Sequence, residues 1–554
     1  MAKQTLTGRT AFLKLLEDEG VTHIFGNPGT TELALMEAMP EAEKIRYILG
    51  LQESVVLSMA DGFARASRRL AAVNLHCTPG LGHALGALYN AKFSGSPIIV
   101  TAGQYELGYG LLEPMLYEPL VPIAQPFVKW AYEVQRVEDL PRVVRRAAKV
   151  ALTPPFGPVF LSLPGSILDD TAELDLGHST RIKGNNAPSN EVLNEIFNAV
   201  LASKSPVIIA GRELDDQGAM DQAVRFAKLL GAAVYHEPIP YNTRFPTVSE
   251  MFMGDLSRNQ GKVRKILEEH DLLIVLGADL LRMSAFSKVD PMPAELKVIH
   301  ISERDWELGK NYFTDIAVNA SVSETLRRLN LFLESQLTEP YVIASAKRLD
   351  NLRAKNWSSQ RNTLTSNMKQ DSIDSGLDSI EAALCIANAA TSQNAIVIEE
   401  APTTAPHLAS FLETSRGLSS FGLASGGLGF GMGGAVGAAL AQPNTRVIAM
   451  IGDGSAMYSI QTLWTAANLK LPITYVIINN KSYRIIKERM ISMRNCSNFL
   501  GMDLVKPELN FVEISEGMGV SAVRVDSQIS LNTALLEANN KSEPTLIEVM
   551  VSTQ

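Results

Sequence analysis

An α/β fold of three doubly wound parallel-sheet domains is what this sequence predicts, and three observations predict it. The chain has 554 residues, too many for one hydrophobic core and enough for about three or four domains. Its strand-like runs, such as 446–451 (RVIAMI) and 473–478 (ITYVII), are apolar and β-branched without alternation, the pattern of strands buried on both faces of a parallel sheet. Such runs alternate with helical patterns, as the crossovers of parallel sheets require.

The first domain is read over 1–180. Residues 7–17 form an amphipathic helix pattern, 21–25 the strand after it, and 71–75, 97–101 and 158–162 further parallel strands. The polar, turn-rich stretch 169–190 marks a linker. A second domain, 190–333, has strands at 205–210, 232–235, 271–276 and 297–301. Residues 334–379 are polar and highly charged without a strand signal, and are expected to be a connecting helix and linker. The third domain is read over 380–554. Within it, 417–445 carries no charge, yet eight of the 21 residues from Phe421 to Ala441 are glycine. At about 1 kcal/mol each in a helix, that count argues against a membrane span and for a glycine-lined loop running into a buried helix. No short-period repeat appears, and the two outer domains are expected to share a fold.

The third domain holds the most informative pattern. Gly452-Asp453-Gly454-Ser455 closes the run 446–451, and Asn479-Asn480 closes the run 473–478, with 456–470 between them as the crossover helix. The Asp and Asn then project from the carboxyl ends of neighbouring strands, where open α/β sheets bind ligands. A carboxylate, an amide oxygen and a nearby backbone carbonyl make a hard, half-filled oxygen shell. That shell suits Mg²⁺, which takes its other ligands from water and phosphates. Asp-Gly alone is ordinary turn chemistry; the spaced pair between two buried strands is far more specific.

This GDG…NN pair resembles the diphosphate motif of the thiamine-diphosphate (ThDP) enzyme family. An independent match lies in the amino-terminal half: Phe25-Gly-Asn-Pro-Gly-Thr-Thr-Glu32, Leu51-Gln-Glu-Ser54, Met59-Ala-Asp-Gly-Phe-Ala-Arg65, Asn74-Leu-His-Cys-Thr-Pro-Gly80 and Val100-Thr-Ala-Gly-Gln104. Together they are similar to the benzoylformate decarboxylase branch, with acetolactate synthase more distant, and the resemblance spans nearly the whole chain. It implies pyrimidine-binding, middle and diphosphate-binding domains in that order. It implies Asp453, Asn480 and the backbone carbonyl of Ser482 as metal ligands, and Glu53 as the carboxyl hydrogen-bonded to the cofactor's aminopyrimidine ring. Gly426 and Leu428 match positions that contact and prop that ring, Gly452, Gly454 and Ser455 belong to the diphosphate motif, and Thr30 stands where relatives carry a substrate-binding serine. Sites at a dimer interface, in a homodimer or homotetramer, are implied by the same resemblance.

Other candidates rest on side-chain chemistry. His76 follows a strand and precedes a Gly/Pro-rich turn, and an imidazole titrates near neutrality, so it is a proton relay unless it is a satisfied core histidine. His83, near the start of the next helix, is a second candidate. Thr403 and Thr404 either hydrogen-bond the diphosphate or form a local turn; Gln104 is a polar contact near the cofactor ring; capping is the competing role for Thr30 or Thr31. Cys77 beside His76 reads first as a small buried filler. Residues 429–434 satisfy GxGxxG, but no strand leads into them as a dinucleotide fingerprint demands, so an NAD site is rejected.

Departures from the family pattern concern the substrate. Ile485 and Ile486 narrow an aryl pocket, and Arg484 or Arg489 either meets an anionic tail or lies on a solvated helix face. Benzoylformate decarboxylase uses a second histidine from the middle domain; the corresponding stretch 276–284 has none, and His270 and His300 lie outside it. The expectation is nonoxidative decarboxylation of a small-molecule 2-oxo acid other than benzoylformate, with ThDP and Mg²⁺ as cofactors. An acetolactate-synthase-like carboligase, with FAD, is one rival; FAD is not favoured. A noncatalytic ThDP-binding protein is the other, and retention of Glu53 argues against it.

Composition excludes other classes. A net charge of −9 without a Lys/Arg stripe argues against nucleic acid as a partner. Three cysteines without a CxxC indicate a reducing compartment, and the start of the chain lacks the apolar core of a signal peptide, so a cytoplasmic protein without a membrane partner is expected.

Overall fold

The computed structural model of the chain describes residues 3–184, 186–239, 241, 244–284, 286–371, 377–415 and 420–552. They hold three six-stranded sheets and a two-stranded ribbon. Every described pairing within the three large sheets is parallel. The chain forms two compact units: one joins 1–182, 376–405 and 421–554, and the other joins 183–375 and 406–420.

In the first unit, one sheet takes His23–Gly26, Arg46–Leu49, Ala71–Leu75, Ile98–Gln104, Ala131–Glu133 and Val159–Pro164. The other takes Ile396–Glu400, Ser420–Gly422, Val447–Gly452, Ile473–Asn479, Ser521–Val525 and Thr545–Met550. Counted along the chain, both sheets have the spatial order 2-1-3-4-6-5, so the outer domains do share a topology. Their central strands are buried along their whole length, as runs without alternation require. In the second unit, Pro206–Ala210, Ala233–His236, Phe252–Asp255, Leu272–Leu276, Lys297–Ser302 and Ile316–Asn319 have the order 3-2-1-4-5-6. Its topological switch point lies between the first and fourth strands.

Three expectations change. The 169–190 stretch contains a strand, Thr171–Leu174, that pairs antiparallel with Gln4–Thr7, and Leu174 and Leu176 pack into the first core. The crossover after Asp453 is a helical turn, Asp453–Ala456, and a short helix, Thr462–Asn468, in place of one helix over 456–470; the break turns Met457 and Tyr458 outward. Residues 334–379 carry two helices, Glu339–Arg353 and Trp357–Asp371. Tyr341, Leu349 and Trp357 sit in the second unit's core, because apolar residues at helical spacing recur inside this polar stretch. Among the described residues, no helix is long and apolar enough to cross a membrane. Of the uncharged stretch 417–445, residues 417–419 lie outside the described residues, and the remainder includes the expected buried helix, Phe430–Ala441.

That helix crosses the helix Glu53–Ser67 at van der Waals distance. A Cβ on Gly437 would lie 2.0 Å from the Met59 carbonyl oxygen, and one on Gly62 would lie 2.2 Å from that of Gly434. Glycine is what lets two backbones meet this closely. Arg65 fastens the crossing: its Nη1 donates to the Gly422 carbonyl at 2.8 Å, and its guanidinium lies over the Phe421 and Phe430 rings. Gly437→Val is expected to lower stability by about 3 kcal/mol or more, the upper range for overpacking, since the obstacle is backbone. Thermal unfolding of variant against parent measures it; an unchanged transition would contradict the crossing.

Candidate active site

One group of candidate residues gathers at the carboxyl edge of the first sheet. Asn27 and Gly29 leave the strand His23–Gly26, and His76 leaves the strand Ala71–Leu75. Glu53 opens the helix Glu53–Ser67, capped by Gln52, whose Oε1 accepts from the Ser54 and Val55 N–H groups. His76 occupies the capping position of the helix Cys77–Ser94, which carries His83 two turns on. The Glu53 carboxylate is held from two sides. Oε1 accepts from Asn27 Nδ2 at 3.3 Å, and Oε2 lies 3.1 Å from His83 Nδ1.

His76 has its own carboxylate. Its Nδ1 lies 2.9 Å from Glu32 Oε2 and 3.1 Å from Thr31 Oγ1. Glu32 is 1% exposed and also accepts from Gly29 N (2.8 Å), Gly103 N (3.0 Å) and Thr31 Oγ1 (2.7 Å). A carboxylate on Nδ1 fixes the ring and its tautomer, leaving Nε2 as the working nitrogen. Gly29 makes room, since a Cβ there would lie 2.3 Å from the His76 ring. Sequence reasoning missed Asn27, Thr31 and Glu32 as functional side chains; the only signal was the spacing of Thr-Thr-Glu after Gly29, which reads as helix capping. Thr30 itself is exposed and makes no side-chain hydrogen bond among the described residues. Cys77 is buried, and burial pushes its thiol up, against a reactive role. Gln104 is buried, with its amide engaged by the Glu118 carbonyl and the Tyr105 N–H, so it holds the loop after its strand.

The second group lies at the carboxyl edge of the other sheet in the same unit. Val447–Gly452 and Ile473–Asn479 pair with Gly452 opposite Ile478, which brings Asp453 to Asn480. Asp453 Oδ1 accepts from Gly454 N at 2.7 Å, and Oδ2 from Asn480 N at 3.2 Å and Ser482 N at 3.3 Å. Asn480 Oδ1 accepts from Ser482 N and Oγ at 3.0 and 3.1 Å. Of the two asparagines only Asn480 turns here; Asn479 donates to Glu548 at 2.7 Å. Burial pushes the Asp453 carboxyl up and its N–H donors pull it back, an imbalance that a cation would relieve. Among the described residues, no three His, Cys, Asp or Glu cluster as metal ligands. The donor set here is instead one carboxylate, one amide oxygen and a carbonyl, which fits Mg²⁺ completed by phosphate.

Thr404 Oγ1 is fully buried and has no hydrogen-bond partner among the described residues, an orphan that a diphosphate oxygen would satisfy; Thr403 is half-buried beside it. Gly426, at φ +86°, has open space around it, and Leu428 is half-buried in the same loop. The loop is anchored by a residue the sequence did not point to. Glu400 accepts from Gly429 N at 2.6 Å and from Gly431 N, and burial pushes its carboxyl up to about 7. The helix Arg484–Arg494 has no buried residue: Ile486 and Arg489 are exposed and Ile485 half-buried, so within this chain they wall no closed pocket. Arg484 pairs with Glu488 at 2.9 Å.

The second unit offers its switch point to a dinucleotide, and that point is filled. The Arg212 and Asp279 N–H groups, at the ends of the first and fourth strands, donate to Glu237 at 2.7 and 3.3 Å. Arg304 bridges Glu213 and Asp279, and a Cβ on Gly211 would lie 2.2 Å from the Ala278 Cα. Burial and the adjacent Asp279 push Glu237 up. A carboxyl group thus holds the N–H groups a diphosphate would need. The histidines here are structural: His300 meets the Ala278 carbonyl, His270 that of Ser205, and burial lowers both.

Comparison with known proteins agrees with this geometry. Family models for thiamine pyrophosphate enzymes match the chain in three parts: the N-terminal TPP binding domain at residues 6–114, the central domain at 193–329 and the C-terminal TPP binding domain at 403–549. The chain is 33% identical to a benzoylformate decarboxylase of Pseudomonas aeruginosa over 99% of both proteins. It is 26% identical to a chloroplastic acetolactate synthase of Nicotiana tabacum, over 99% of this chain and 82% of that protein. Its fold is similar to the ThDP-dependent 4-hydroxybenzoylformate decarboxylase of Rhodococcus jostii RHA1, with TM-score 0.88, 32% identity and coverage of 99% and 100%. The benzoylformate decarboxylase of Polynucleobacter necessarius gives 0.85 and 28%, with 99% of each chain covered.

Glu400 makes a pH prediction. Its folded carboxyl titrates near 7 against an ordinary 4.5, so the stability it contributes is fully present below about 4.5 and is lost as pH rises through about 7. Glu400→Gln removes that dependence. Relative to the variant, the parent is expected to lose roughly 2–3 kcal/mol between about pH 4.5 and 8, measured by urea unfolding of both. Parallel pH curves would contradict the assignment.

Proposed function

The chain belongs to the thiamine pyrophosphate enzymes, on their benzoylformate-decarboxylase-like side, and on that premise we propose that it catalyses nonoxidative decarboxylation of a 2-oxo acid with ThDP and Mg²⁺. Membership makes it a ThDP-dependent carbon–carbon lyase or carboligase; the decarboxylase reading is favoured by the filled switch point of the second unit, which argues against a flavin-bearing carboligase. The single observation that carries the proposal is the convergence of Asp453, Asn480 and Ser482 within one set of hydrogen bonds.

When bound, ThDP supplies the carbon nucleophile and the electron sink. The residues of this chain hold it and manage protons. Asp453, Asn480 and the Ser482 carbonyl carry Mg²⁺; Gly452, Gly454, Ser455, Thr403 and Thr404 face the diphosphate; Gly426 and Leu428 meet the pyrimidine. Glu53 hydrogen-bonds the pyrimidine ring. His76, its Nδ1 fixed by Glu32, moves protons at Nε2 on the substrate side, and Thr30 lies on the same rim. We take the working form to be a cytoplasmic homodimer or homotetramer. This reading is supported by apolar residues exposed around both groups, including Leu111, Leu112 and Met115 near the first and Ile486, Ile491 and Leu500 near the second.

Two outcomes test the reading. Chelation of divalent metal should release ThDP, and Asp453→Ala should abolish binding without rescue by added Mg²⁺, as followed by calorimetric titration. Equal binding in excess chelator and in Mg²⁺ would remove the metal assignment. For the substrate, Ile485, Ile486 and the exposed Arg489 favour a compact or anionic aliphatic 2-oxo acid over benzoylformate, whereas the names of the relatives favour an aryl one. One misfitted methylene is worth about 10–200-fold in specificity. Comparing kcat/KM for benzoylformate, pyruvate and a dicarboxylic 2-oxo acid decides: benzoylformate ahead by about tenfold would sink the pocket argument, and Arg489→Leu without effect on the ratios would return that arginine to the solvated face.

A further inference from the structure

The Glu53 side chain is 12% exposed and that of His83 is 62% exposed, so the imidazole stands between the carboxylate and solvent. Its Nδ1 is aimed at Oε2, while Oε1 is held by Asn27. We propose that His83 is the positioning residue of Glu53, holding its outer oxygen and sharing one proton with it across the 3.1 Å contact. The proposal rests on the reading of Glu53 as the carboxyl that meets the cofactor's pyrimidine.

Three features favour His83 for this task. An imidazole is the side chain that carries a transferable proton near neutrality, whereas the Asn27 amide donates a hydrogen bond and has no proton to give. His76, one heptad earlier, is turned to Glu32 and does not compete. The loop packed along the same helix, 424–428, brings no charged side chain; it contributes Ala424 and Ser425 N–H groups to Asn90, and Gly427 lies near the Gly86 carbonyl. When the proton passes from His83 Nδ1 to Glu53 Oε2, an ion pair becomes a neutral imidazole and a neutral carboxylic acid. Proton number and net charge are conserved. Glu53 can therefore present an O–H to a ring nitrogen without drawing a proton from solvent.

The test is the proton inventory of ThDP binding to the full-length protein in Mg²⁺, by calorimetry in buffers of different ionisation enthalpy at about pH 7.5, where an imidazole without an ionised partner is neutral and takes no proton back from solvent. The parent should bind with almost no net uptake. His83→Gln keeps an amide donor and loses the transferable proton, so it should take up about one proton per site with nearly unchanged affinity. His83→Ala should also weaken binding about three- to tenfold, through loss of the hydrogen bond. Adding Glu53→Gln to His83→Gln should abolish the uptake. If His83→Gln takes up no more protons than the parent while Glu53→Gln alone still abolishes decarboxylation, the His83 proposal falls by itself. If Glu53→Gln retains decarboxylation, the reading of Glu53 falls and takes the proposal with it.

Discussion

A carboxylate removed from water at the end of a parallel strand must be met by hydrogen-bond donors, because an unpaired buried charge costs several kcal/mol. Among the described residues, four carboxyls that each take two or more backbone N–H groups show how this chain meets that demand. Glu32 takes those of Gly29 and Gly103, Glu237 those of Arg212 and Asp279, Glu400 those of Gly429 and Gly431, and Asp453 those of Gly454, Asn480 and Ser482. In each sheet the carboxyl edge is therefore organised around an internal carboxyl group, and the loops that bear the candidate residues are shaped by the N–H groups they must turn inward.

What each carboxyl does depends on what else reaches it. Glu32 adds an imidazole and becomes the orienting partner of His76. Glu400 adds nothing but N–H groups and fixes the glycine-rich loop. Asp453 sits beside an amide oxygen that is itself an acceptor, and both oxygens accept from the Ser482 N–H. Glu237 holds the two N–H groups at its switch point, with Arg304 paired to Asp279 beside it and Gly211 packed against Ala278. Three sheets with nearly the same internal chemistry thus diverge: at one edge the carboxyl meets an imidazole, at another it meets an amide oxygen, and at the third it lies beside an arginine–aspartate pair.

The parts of this arrangement legible in the sequence are those set by local pattern. Fully apolar runs announced the central strands, and the GDG and NN pairs announced an oxygen-rich site because strand ends have defined directions. Which asparagine faces the site was not legible from local pattern, and only the family resemblance named Asn480, since Asn479 is claimed by Glu548 from a strand nearly seventy residues later. Neither was the choice of Thr31 over Thr30, which depends on where the His76 ring lies, nor the withdrawal of Gln104 into its own loop. The edge strands Ala131–Glu133 and Ile316–Asn319 are short and half-exposed, with too little apolar sequence to stand out. The exposed helix Arg484–Arg494 was legible as a helix, but its partner is not in its own sequence neighbourhood.

One helix ties the proton-handling groups together. His76, His83 and Asn90 recur every seven residues along it, and seven residues return a helix to nearly the same face about 10 Å further on. Each meets a carboxylate: Glu32, Glu53 and Asp61. Two of those, Glu53 and Asp61, stand on the helix that crosses Phe430–Ala441 through glycine contacts, and Asn90 carries the connection onward by accepting from Ala424 and Ser425 in the glycine-rich loop. Asp61 is fully buried, and burial pushes its carboxyl up despite donors from Asn90 and Ser96. A change that loosens Asn90 would therefore shift the cofactor loop and the register of His83 against Glu53 together. His83 and Asn90 thus share one helix face, and the carboxyls they meet, Glu53 and Asp61, share the other helix.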